Sequence, residues 1–130
     1  MAIGDEALRL RATGRYPYFL DLGRAWRDLT GLPFVFGVWA ARRAVFVQQP
    51  EAVRTLHRAL LAAKDWGVNS LEEISRLAVR RMNLDFEEMV HYFRQLDYNL
   101  EKRQLEGLRA FYKYLHRYGA LSELPKLEFI

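Results

Sequence analysis

The sequence predicts an α/β chain, mostly helical with one clear apolar strand, that is part of a two-lobed protein rather than a complete small domain. Three observations carry that prediction. Residues 18–39, YFLDLGRAWRDLTGLPFVFGVW, join a short amphipathic helix to a nearly all-apolar run. An apolar strand needs cover on both faces and so belongs inside a sheet. No second run of that quality occurs in the chain, so the other strands of the sheet must come from elsewhere.

Taken in order, Ala2-Ile3-Gly4-Asp5 reads as the end of a strand, with Asp5 capping a short helix from Glu6 to Arg11. Thr13-Gly14-Arg15-Tyr16-Pro17 is a loop with Gly and Pro as breakers. Asp21 suits the N-cap of a helix from Leu22 to Leu29, whose Leu22, Trp26 and Leu29 share one face. Thr30-Gly31 stops it, because Gly takes the left-handed position after a helix without strain. Pro33 opens the strand Phe34 to Trp39, where a missing N–H does least harm. Beyond Trp39 the chain reads as helical. Pro50 suits the first turn of a helix to Lys64 with Val53, Leu56, Leu60 and Leu61 inward, and Gly67 closes it. Ser70 and Glu73 form a capping box for a helix to Met82, with Ile74, Leu77, Ala78 and Met82 inward. Asp85 and Glu88 repeat the pattern for Phe86 to Phe93. A last helix, Glu101 to Tyr118, turns Leu105, Leu108, Phe111, Tyr112 and Leu115 inward and is capped by Gly119. The apolar tail from Ala120 to Ile130 should be docked rather than free.

Composition narrows the classes of function. Hydrophobic residues make up 51% of the 130 and charged residues 28%, which is globular rather than disordered. The absence of cysteine excludes disulfides, cysteine-ligated zinc, iron–sulfur clusters and thiol chemistry. The start MAIGDEALRL has neither a basic nor an apolar leader region, and the longest apolar run, Leu32 to Ala41, is short of the about 20 residues that cross a membrane. A cytoplasmic protein without a membrane partner is expected. The net charge of +4 and pI near 9.6 invite a nucleic-acid partner. The arginines are dispersed among acids, with only Arg42-Arg43 and Arg80-Arg81 adjacent, so no nucleic-acid surface is expected. No G-x-S-x-G, P-loop or G-x-G-x-x-G pattern occurs.

Three blocks resemble a known family: the IGDEAL start, the DLGRAWRDLTGLPFVFGVWAAR block, and the end EGLRAFYKYLHRYGALSELPKLEFI. Together they look like the C-terminal half of the chorismate dehydratase of the futalosine route to menaquinone. The middle block is the most specific, since an aspartate-capped helix, TGLP and an FVFxVW run follow one another without gaps. The resemblance implies a fold similar to type II periplasmic binding proteins, in which two lobes close over a ligand. Residues 1–38 would then end the second lobe, 39–41 form the hinge crossing, and 42–130 form a helical part packing on the first lobe. Family members would be roughly twice this long, so the N-terminal half would be absent, and either that half or self-association would cover the apolar strand. The implied reaction removes water from chorismate, a small dicarboxylate, to give 3-[(1-carboxyvinyl)oxy]benzoate, with no metal or organic cofactor. The isolated chain is expected to be inactive.

Within this frame the candidate substrate-binding residues are Gly4, Asp5 and Trp39. Ligands of open α/β sheets sit beyond the carboxyl ends of the strands, which puts Gly4 and Asp5 at a cleft mouth. Asp5 is first an N-cap, and the free N–H groups beside a cap also attract a carboxylate. Trp39 ends the strand near the crossing, where its indole either packs in a hinge or lies against the ligand ring. Phe36 has the same two readings, with packing the stronger. Arg42 and Arg43 follow the crossing, as surface residues or as a bidentate partner for a carboxylate. Thr30-Gly31-Leu32-Pro33 reads as structural and remote from the cleft. His57, His91 and His116 lie at no metal-ligand spacing, and no catalytic base is assigned. Glu72-Glu73 and Glu87-Glu88 are helix-start acids that favour the helix dipole. Two rivals remain: a non-catalytic small-anion-binding protein of the same fold, and a helical interaction or nucleic-acid module.

Overall fold

A computed structural model describes residues 1–82 and 85–130, the side chains of Asp5 and Met82 excepted. The described residues form α1 (Gly4–Ala12), α2 (Leu22–Thr30), α3 (Arg43–Gln48), α4 (Pro50–Asn69), α5 (Leu71–Met82), α6 (Phe86–Gln95) and α7 (Lys102–Arg117). The expected α/β class is therefore overturned: among the described residues there is no strand and no sheet. Residues 33–42 run without regular secondary structure, and so do 1–3, so neither Phe34 to Trp39 nor Ala2 to Asp5 is a strand. A strand exists only through the ladder that pairs it, and among the described residues no ladder pairs either run. Side-chain packing against helices covers Phe34 instead.

The chain divides into two compact units. The first comprises Met1–Leu20 and Ala59–Tyr98, and so holds α1, the end of α4, α5 and α6. Its centre is the α5–α6 pair, where Met89, Val90 and Ser75 are buried. Asp85 caps α6 as predicted, its Oδ1 accepting the N–H of Glu87 at 2.8 Å and of Glu88 at 3.2 Å. The Arg76 guanidinium of α5 lies over the Phe86 ring of α6 at 5.6 Å. Gly67 does not end α4, which runs on to Asn69. It leaves room beside α4 for the Ile74 side chain of α5. On α5, Ile74, Ser75, Ala78 and Val79 are covered, whereas Leu77 is exposed.

The second unit comprises Asp21–Arg58 and Asn99–Ile130, with α2, α3, the start of α4, α7 and the tail. Asp21 caps α2 through Oδ1, which accepts the Arg24 N–H at 3.0 Å. Gly31 ends the helix with φ 70°, the left-handed conformation a C′ glycine takes freely. Thr30 stitches the turn, its hydroxyl donating to the Trp26 carbonyl at 2.8 Å and accepting the Leu32 N–H at 3.2 Å. Trp26 then meets Phe34, Phe111 and Tyr114 edge to face at ring separations of 5.7, 5.8 and 5.5 Å. Such T-shaped pairs each add about 0.5–1.5 kcal/mol beyond area burial. Gly107 of α7 admits the backbone of Pro33, since a Cβ there would stand 2.1 Å from the Pro33 oxygen. Arg103 donates from Nη2 to the Gly31 carbonyl at 2.8 Å. The inward face predicted for α7 is covered throughout. On α2, only Trp26 of the predicted face is covered, and Leu22 and Leu29 are exposed.

Candidate functional site

The sequence-predicted residues fall in both units. Gly4 opens α1 with φ 60° and open space around it. Asp5 lies inside the first turn of α1 rather than ahead of it. Ile3 holds the N-cap position and makes no side-chain cap bond. The Asp5 side chain lies outside the described residues. The first turn of α1 offers N–H groups that have no partner within the helix, a general property of helix starts.

Trp39 sits in the non-helical run before α3 and is 87% exposed. Phe36 is also exposed, but one edge of its ring is engaged. It meets Phe34 edge to face at 4.8 Å and presses on Gly23, where a Cβ would come within 2.9 Å of the ring. Phe36 thus has a packing role and an open side, while Trp39 presents nearly its whole indole.

Arg42 precedes α3 at its N-cap position and Arg43 is the first residue of that helix. Arg43 donates from Nη2 to Oε1 of Glu128 at 2.6 Å, a bond between residues 85 apart in sequence. The hydrogen bond and the charge of Arg43 hold the Glu128 carboxyl below its usual range, and Glu128 in turn raises the pKa of Arg43. Sequence reasoning treated the tail as apolar and missed Glu128. An acid two residues from the end of a run otherwise rich in Leu, Phe and Ile was the available signal.

The histidines lie apart from one another along the chain, on α4, α6 and α7. His91 shares a 2.7 Å hydrogen bond with Gln95 one turn on. Among the described residues, no three His, Cys, Asp or Glu side chains gather as a metal centre. No helix among them is long and apolar enough to cross a membrane.

Residues 1–117 match the menaquinone biosynthesis family, and the chain belongs to that family. A chorismate dehydratase from Thermus thermophilus is 36% identical over 91 residues, which is 70% of this chain and 32% of that protein. The chain thus spans about a third of the length of this curated relative.

Proposed function

We propose that this chain is part of a lyase that dehydrates chorismate to 3-[(1-carboxyvinyl)oxy]benzoate in menaquinone biosynthesis. The match to a protein named chorismate dehydratase over most of the chain is the observation that carries this reading. In the reaction the ring proton on the ether-bearing carbon is removed and the hydroxyl on the adjacent ring carbon leaves as water, so the new double bond between those two carbons makes the ring aromatic. Aromatisation supplies much of the driving force, which leaves the protein chiefly to position the ring, pair the carboxylates and take the proton.

Gly4 and Asp5 in the first unit and Trp39 in the second are each proposed as substrate-binding residues of their own unit. The exposed indole of Trp39 lies against the ring. The Gly4 and Asp5 amides at the start of α1 receive a carboxylate, where the helix dipole favours negative charge. A second polypeptide segment, equivalent to the remaining length of the relative, completes the site and supplies the base. Its presence is supported by the surface. Two separate folded bodies of half this mass would together expose about 8,600 Å², whereas the chain exposes 11030 Å². We place the reaction in the cytoplasm and assign it no cofactor.

The test is genetic and chemical. Deleting the gene should stop menaquinone formation, and feeding 3-[(1-carboxyvinyl)oxy]benzoate, but not chorismate, should restore it. Restoration by neither compound would overturn the assignment. The purified 130-residue chain should leave chorismate unchanged by mass spectrometry, and product should appear once the complementary segment is added. Tight binding of chorismate with no water loss in that mixture would instead support the non-catalytic anion-binding reading.

A further inference from the structure

The Arg43–Glu128 contact has the form of a ligand site already filled. A guanidinium presents donors in a planar fork matched to a carboxylate, and the Glu128 carboxylate stands where a ligand carboxylate would. Both side chains are mostly exposed, at 71% and 59%, so water competes for the contact and the pair exchanges readily. The tail that carries Glu128 is lightly held. Leu121 and Leu127 are half-buried, but Leu124, Phe129 and Ile130 are exposed. Its start is anchored, with Ala120 and Leu121 both donating to the Leu115 carbonyl at 2.8 and 3.3 Å. Trp39 lies in the same unit four residues before Arg43, so their Cα atoms stand within about 14 Å whatever the path between them.

We propose that Arg43 is a binding site for an aromatic carboxylate, occupied in the unliganded chain by Glu128, so that the C-terminal tail is an internal occupant that the ligand displaces. The ligand class rests on the dehydratase reading, whose substrate and product are cyclic carboxylates. Displacement itself does not require that reading and is tested with a compound that cannot react.

Isophthalate, titrated into the full 130-residue chain, is the probe. Calorimetry reads affinity and amide hydrogen exchange reads the tail. Isophthalate should speed exchange at residues 122–130. Glu128→Gln should bind isophthalate about two- to five-fold more tightly, the factor an exposed ion pair commands. Arg43→Gln should lose binding, and Arg43→Lys, which keeps the charge but not the fork, should lose most of it. Without ligand, both Arg43→Gln and Glu128→Gln should already show the fast-exchanging tail. Unchanged affinity in Glu128→Gln, an unchanged tail when isophthalate binds, parental affinity in Arg43→Gln, or no binding by any form would each overturn the proposal. Chorismate turnover is scored separately, so displacement without turnover counts against the dehydratase reading alone.

Discussion

Two glycines in helix interiors make opposite demands. At Gly107 a methyl group would lie 2.1 Å from the Pro33 oxygen, an atom of the backbone that cannot rotate away. Gly107→Ala should therefore destabilise the chain by about 1–3 kcal/mol, the usual range for overpacking, despite alanine's better helix propensity. At Gly67 a methyl would meet Ile74 Cδ1 at 3.5 Å, an ordinary contact. Gly67→Ala should leave stability unchanged or raise it by up to about 1 kcal/mol. Urea midpoints of the two variants should move in opposite directions, and a joint shift to lower urea would contradict the packing described. Tyr98 offers a second check at this scale. Burial first, and the nearby Tyr92 second, push its phenol above the usual value. Its stabilising effect is complete below the ordinary tyrosine pKa and is lost as pH rises through the raised one. The 295 nm titration should lose its most alkaline component in Tyr98→Phe.

Among the elements, boundaries were more legible in the sequence than faces. Asp21 and Asp85 cap α2 and α6 as their spacing predicts, and Gly31 stops α2, because these signals act within one turn. The inward face of α7 was also legible, since its covered residues recur at helical spacing. The faces of α2 and α4 were not. Leu22, Leu29, Leu56 and Leu61 are apolar but exposed. Periodicity says that a helix has an apolar side and does not say which part of it meets a neighbour in this chain. The run Phe34 to Trp39 failed for the same reason at larger range. β-branched and aromatic residues fit a sheet, yet they also fit the edge-to-face cluster that Trp26, Phe111 and Tyr114 build. Of the candidate site, the exposure of Trp39 followed from neither spacing nor composition, and the partner of Arg43 lies too far along the chain for any local signal. The tail yields a prediction here. Because the hydrogen bond and charge of Arg43 lower the Glu128 pKa, tail docking is stabilised above the ordinary carboxylate range and loses that support as pH falls through the lowered value. Exchange at residues 122–130, corrected for intrinsic rate, should rise in acid in the parent and stay flat in Glu128→Gln.

At the scale of the whole molecule the apolar surface dominates behaviour. In the first unit Trp66, Val68 and Leu77 are open to water, and in the second Leu22, Leu29, Phe36, Val38 and Trp39. Exposed large apolar side chains, where they gather, mark sites of association. Sedimentation of the chain alone should show mass rising with concentration, and Trp39→Glu should weaken that rise. A chain that stays monomeric at high concentration would count against the proposed complementary segment.

Residues 31–36 are seated by α2 on one side and by α7 on the other, and the Arg103 bond to Gly31 spans 72 residues. During synthesis this has a temporal meaning. At 5–20 residues per second, the run around Phe34 to Trp39 leaves the ribosome roughly 4–14 s before the helix that shelters it. For those seconds the most apolar stretch of the nascent chain lacks the share of its native cover that α7 supplies, so a chaperone that holds such stretches has its clearest point of engagement there, and slow codons between residues 40 and 100 would lengthen the hazard.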